Sequence, residues 1–438
     1  MRLRFPAAEF RVRALLPAFA LALACQNPGC QSDPNADADA GADADAGLDA
    51  DAGGDAGAPE DGGDPADSGA EPDGGSCTEE CVPGCPCPEG PCLDDVPARF
   101  GEIPTSVDVP SGDTSKYLGA QNPSVVPWPR YTTDASNAYG LDEHFQGIQR
   151  HGRLLYLTGS GKHVTPPTGQ LMVVEMGTRS ETGPWSLPSY GHDFLNPPAE
   201  DRVVALIDLD VGNWHAGGLQ RWLDVLAIPL YGDDKSKGEV RFYRLTDPKA
   251  PVEVPGARIL RTSTLVNSVG MTRLADGRFR VVAWDDVSLD FFLSNSAKLE
   301  DGFVPTFQSV NPSDVAGGFQ GGGCGITGCG TYQNINLVRQ CDGTLYIVAA
   351  RNQQKGAPTL PGNDLASLYR VDFPSGVDAA PTVTFVVRRQ FYCHDQQCNF
   401  GAAAGAYVDD STHLTLYGAS HWLHNGNARY NFNEFAAP

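Results

Sequence analysis

One unit recurs five times along this 438-residue chain, and that repetition limits the fold more than any other feature. The copies open at His144, His215, Asn267, Gln333 and Asn399, about 50 to 70 residues apart, and the fifth is the weakest. Each copy begins with a polar residue, passes through a small or apolar run and a turn, and ends in a strongly hydrophobic run. The shared core is apolar–polar–Arg, at Ile148–Arg150, Leu219–Arg221 and Met271–Arg273, with a looser match at Leu337–Arg339. Asp276-Gly277 and Asp342-Gly343 supply hairpin turns, because glycine reaches the positive φ that a tight turn requires.

A third strand is expected after each hairpin, at Leu171–Met176, Glu239–Arg244, Leu289–Leu293, Ser367–Asp372 and Tyr430–Phe435. A fourth follows at Val203–Ile207, Ala257–Arg261, Val304–Ser309 and Thr382–Val387. Four strands per unit at this spacing predict an all-β chain, a β-propeller of five four-stranded blades, with six as the alternative if 96–131 holds a degenerate one. The chain ends before the fifth unit can form its fourth strand. A segment ahead of the first repeat, such as Thr105–Val109, is expected to supply it and so remove an exposed edge.

Ahead of the repeats the chain divides into a leader at 1–24, a tether at 25–76 and a cysteine-rich stretch at 77–95, with the propeller domain at 96–438. The formal charge is -23, and its excess is local: Gln31 to Ser76 carries 14 Asp or Glu and no Lys or Arg. Such an Asp/Ala/Gly-rich segment lacks the large apolar side chains that offset ordering entropy, so a disordered, self-repelling stalk is expected. No basic cluster follows the N-terminus, which excludes nucleic acid as a partner. Cys77, Cys81, Cys85, Cys87 and Cys92 read as a disulfide knot whose odd member pairs elsewhere, with Cys30 or a domain cysteine. Cys324 with Cys329, and Cys393 with Cys398, share one spacing and are candidate staples for two loops. Cys341 is left unassigned.

Arg2, Arg4, Arg11 and Arg13 precede the apolar run Ala14–Ala24, too short to span a bilayer, as in a secretory signal. The ending Ala22-Leu23-Ala24-Cys25 resembles the lipobox of bacterial lipoproteins, although Ala22 stands where that box has Leu. The resemblance implies lipidation at Cys25, contact with a membrane through that anchor alone, and an address at the outer membrane or cell surface. The His215-Ala-Gly-Gly-Leu-Gln stretch, with Arg241-Phe-Tyr-Arg-Leu-Thr-Asp-Pro, resembles uncharacterised secreted bacterial propeller-like proteins. That resemblance implies fold, and fold does not imply function.

The opening residues of the repeats are expected to ring one mouth of the central channel. His144, His215, Asn267, Gln333 and Asn399 would there bind a polar ligand or sugar, coordinate a metal, or cap strands. The repeat arginines read as structural, paired with neighbouring blades or turn acids. Acid pairs for glycoside hydrolysis would come from Asp142, Glu143, Asp285, Asp286 or Asp290. A four-histidine metal site would need His144 and His215 to converge with two of His394, His421 and His424. The sequence implies no particular cofactor and a monomer. Its leading functional expectation is a surface propeller binding a glycan, small molecule or protein. The alternatives are a secreted hydrolase or lyase acting on polysaccharide, or a metal-dependent enzyme.

Overall fold

The computed structural model describes residues 90–105, 116–118, 144–162, 165–177, 180–185, 201–305, 307–319, 332–352, 364–392, 398–409, 412–424 and 429–436. The leader with Cys25, the acidic tether, the cysteines at 77–87, Cys324, Cys329 and Cys393 lie outside them, as do Asp142, Glu143 and His394.

The described strands form an all-β propeller. The earliest strand is β1 (Lys116–Leu118). The first blade is β2 (Phe145–His151), β3 (Leu154–Gly161), β4 (Thr168–Met176) and β5 (Asp201–Val211). In the second blade the inner strand is split into β6 (His215–Ala216) and β7 (Gln220–Trp222), followed by β8 (Val225–Tyr231), β9 (Gly238–Arg244) and β10 (Val252–Arg261). The third blade is β11 (Ser268–Arg273), β12 (Phe279–Trp284), β13 (Leu289–Leu293) and β14 (Gln308–Val310). The fourth is β15 (Asn334–Arg339), β16 (Leu345–Asn352), β17 (Asp364–Asp372) and β18 (Thr382–Phe391). The last is β19 (Asn399–Val408), β20 (Leu414–His424) and β21 (Arg429–Ala436). Each blade is an antiparallel meander.

The missing fourth strand of the last blade is β1, paired antiparallel with β21 from Lys116 opposite Phe432 to Leu118 opposite Tyr430. It comes from ahead of the first repeat, as expected, but further along than Thr105–Val109. The outer strand of the third blade is also shorter than expected. Val304 N still donates to Leu293 O at 2.9 Å, but Pro305 has no N–H for a ladder and interrupts the pairing, and the continuous register with β13 resumes at Gln308. Residues 119–143, where further strand content would bear on a sixth blade, lie outside the described residues.

Inner strands meet in the cyclic order β2, β7, β11, β15, β19 and back to β2. The hydrophobic core repeats that order. Among the described residues it forms five clusters, each between two consecutive blades. Phe145, Leu157 and Met172 of the first blade pack on Tyr417 and Phe432 of the last, which makes the closing layer of the same kind as the rest. The sequence pattern follows from this stacking. The second strands β3, β8, β12 and β16 are buried along their whole length because blades cover both their faces. The outer strand β10 has one face to solvent and largely alternates.

A short helix, α1 (Val96–Glu102), precedes the blades, capped by Asp95, whose Oδ1 accepts the Ala98 N–H at 2.9 Å. Leu93, Val96, Phe100 and Ile103 are fully buried against the fourth and last blades. Leu93 pairs with Gln340, and the adjacent Cys92 forms a disulfide with Cys341. One member of the odd cluster, Cys92, therefore takes its partner from the domain, and that partner is Cys341.

Candidate functional site at the channel mouth

The repeat arginines close the hairpins. Arg150 Nε donates to Gly152 O at 2.8 Å, Arg221 Nη1 to Leu223 O at 2.7 Å, and Arg273 Nε to Gly277 O at 2.9 Å. Each guanidinium thus reads the carbonyl of its own turn, where turn acids had been the expected partners. Arg150 adds the cross-blade role: it lies over Trp185 and Tyr407 at 4.2 and 4.8 Å and reaches Tyr417 Oη at 3.3 Å.

Between mouth and floor the channel is packed with amides. Gln220 on β7 skips a blade: its Nε2 donates to Leu337 O at 2.7 Å, and its Oε1 accepts from Met271 N and Leu337 N at 2.6 and 2.7 Å. Asn336 donates to Leu219 O and accepts from Ala406 N, at 3.2 and 2.8 Å. Asn334 reaches Gln146 O at 2.9 Å. Inner strands diverge too far for a continuous ladder, so side chains satisfy backbone groups that would otherwise be buried unpaired. Glycine admits the amides: a Cβ on Gly218 would stand 2.4 Å from Asn334 Oδ1. These residues were not singled out in the sequence, although Gln149 and Gln220 share one repeat position and Asn334 and Asn336 alternate along one strand.

At the mouth, where inner strands begin, His144 and His215 come together. Their rings stand edge to face with centroids 5.5 Å apart. Ser160 at the end of β3 joins them: its N–H donates to His144 O at 2.9 Å, its Oγ lies 3.4 Å from His144 Nδ1, and its backbone pairs with His215. His215 stacks on Tyr231 at 4.2 Å and meets Trp214 edge-on at 5.5 Å. Lys162 lies over the Trp214 ring at 5.0 Å, and the Trp214 indole N–H donates to Asp233 at 3.2 Å. Burial pushes His215 down to about 3, with Lys235 adding to the effect, so its ring is neutral at physiological pH. His215 Nδ1 is buried and finds no hydrogen-bond partner among the described residues. A neutral imidazole with an unmatched nitrogen in an aromatic wall can accept a ligand hydroxyl.

The other opening residues do different work. Asn399 Oδ1 accepts Gly401 N at 2.8 Å, a local turn bond. Asn267 is half-buried, and its carbonyl receives Gly218 N–H at 2.9 Å. Gln333 is half-buried, with its N–H bound to Ala350 O. Among candidate acids, Asp285 and Asp290 converge on Arg261, Asp285 at 3.0 Å, and all three are buried. Asp286 sits beside them at φ 74°. Both Asp285 and Asp290 are therefore committed to a guanidinium. No group of His, Cys, Asp and Glu able to hold a metal occurs among the described residues. The side chains of His421 and His424 fall outside the described ones. Cys398 is disulfide-bonded.

No family model and no curated protein matches the chain. Among solved structures, it is similar to the GH43B protein of a Bacteroides ovatus xyloglucan locus, at 14% identity and TM-score 0.34, over 73% of this chain and 53% of that one. The chain thus spans about half the length of that structure. It is also similar to a GH43 endo-arabinanase from Bacillus licheniformis, at 9% identity and TM-score 0.36, over 66% of this chain and 94% of that one.

Proposed function

We propose that this chain is a secreted propeller hydrolase acting on a polysaccharide, with its site at the channel mouth beside His144 and His215. The observation that carries the reading is His215: a buried, neutral ring with an unmatched Nδ1, set in an aromatic wall of Trp214 and Tyr231. Aromatic faces and a hydroxyl acceptor are what a sugar ring engages. The acid and base of the reaction are Asp142 and Glu143, which immediately precede His144 in sequence, while Asp285 and Asp290 are held by Arg261. Export and attachment through Cys25 belong to the same proposal. The Cys92–Cys341 disulfide and the disulfide-bonded Cys398 support an oxidising compartment.

The test is release of reducing ends from a panel of plant and microbial polysaccharides, with native, Asp142→Asn, Glu143→Gln and His215→Ala proteins. Release by the native protein, abolished in either acid variant and weakened in His215→Ala, is the expected result. Retention of the native protein in a polysaccharide affinity gel without any release would overturn the hydrolase and leave a glycan-binding propeller. That second reading is favoured by the pairing of Asp285 and Asp290 with Arg261.

A further inference from the structure

At the opposite end of the inner strands a cavity of about 20 Å³ is walled by Gln149, Gln220, Arg221, Trp222, Arg339 and Tyr407. That volume admits one water-sized body. Its walls are one-sided in hydrogen-bonding character. Gln149 Nε2 and Trp222 Nε1 are buried donors with no partner among the described residues. The amide oxygens are already occupied: Gln220 Oε1 accepts two backbone N–H groups, and Gln149 Oε1 accepts Arg221 N at 3.4 Å.

The charge is one-sided as well. Arg221 bonds the carbonyl of Leu223 and His151 Nδ1 and lies over Tyr407 at 5.8 Å. No carboxylate among the described residues stands at ion-pair distance from it, and Asp224, whose charge acts on it, is itself paired with Arg244 at 3.3 Å. Arg339 borders the same space. His151 supplies no charge, because burial and the neighbouring Arg221 hold it down to about 4. Burial also pulls the Arg221 guanidinium below its usual range, with the nearby Arg150 adding to the effect and Asp224 opposing it. A water molecule in this space offers one oxygen to several donors and must turn its own two hydrogens toward walls where Gln220 Oε1 is already occupied. A small anion takes the donors and the positive potential together.

We propose that the channel floor is a binding site for a small monovalent anion of chloride size, held by Arg221, Gln149 Nε2 and Trp222 Nε1. The site is independent of the reaction at the mouth. Its test uses the full chain and chloride itself. The chloride-35 resonance is expected to broaden in the presence of native protein and to sharpen when nitrate competes. The melting temperature is expected to be higher in chloride than in gluconate at equal ionic strength. In Gln149→Glu the carboxylate stands in for the anion, so this variant is expected to fold while losing both effects. Gln149→Leu, which removes a donor and adds no charge, is expected to lose the broadening. Equal broadening by native protein and both variants, or equal melting temperatures in chloride and gluconate, would overturn the proposal and leave a buried water in the cavity.

Discussion

Arg150 on the first blade and Glu434 on the last face each other at 4.0 Å, both sheltered from solvent. Glu434 also accepts Trp185 N at 3.0 Å and Tyr417 Oη at 3.0 Å, and Arg150 stacks beneath Trp185. One carboxylate therefore satisfies groups from both sides of the closing junction. Glu434→Ala takes the carboxylate away from the buried Arg150 guanidinium, which keeps its carbonyl partners such as Gly152 and Gly183. It also orphans Trp185 N and the Tyr417 hydroxyl, a class of change that costs about 3–5 kcal/mol. Urea denaturation should show that loss. A loss below about 1 kcal/mol, the worth of an exposed pair, would mean that the apolar layer alone closes the junction.

The channel amides make a second prediction. Gln220→Leu fills the same space but orphans Met271 N, Leu337 N and Leu337 O. At about 1–3 kcal/mol for each buried unsatisfied group, it should destabilise far more than a leucine substitution at an exposed position. Hydrogen exchange should show faster exchange of the Met271 and Leu337 amides in this variant.

Gly217 gives a steric test. A Cβ there would stand 1.9 Å from the carbonyl oxygen of Asn267, which is backbone and cannot swing aside. Gly217→Ala should displace the second blade against the third and lower the melting temperature sharply. Gly101→Ala meets nothing within 4 Å and serves as the neutral comparison.

Acid should weaken the fold in a defined window. His215 and His151 titrate near 6.5 when unfolded, and burial lowers them in the folded chain to about 3 and about 4. As pH falls below 6.5 the unfolded chain takes up protons that the folded chain refuses, and stability is lost. The loss from His151 levels off near pH 4 and that from His215 near pH 3. His215→Gln should reduce the slope of stability against pH by up to about 1.4 kcal/mol per unit within that window. An unchanged slope would place the acid sensitivity elsewhere.

Much of this architecture was legible because the repeat carries it. The third strand Leu289–Leu293 is where the hydrophobic run places it, and the arginine six residues after His144, His215 and Asn267 marks the hairpin it binds. The outer strands were harder to read. They have one exposed face and weak patterning, and β1 lies at the far end of the chain from the β21 it completes. The mouth was half legible. His144 and His215 occupy equivalent positions and do meet, but equivalence in sequence did not give Asn399 the same work, because its short side chain turns back to Gly401. The cross-channel bonds of Gln220 were invisible, since they depend on the spacing between blades and not on any spacing along the chain.

The last blade borrows β1 through a register of only three residues, whereas Cys92, earlier in the chain, is joined covalently to Cys341 beside the fourth blade. A pull arriving through the leading segment therefore reaches the disulfide before it reaches β1. The load passes into the hairpin between β15 and β16, and the short strand that completes the last blade is spared the force that would otherwise peel it away.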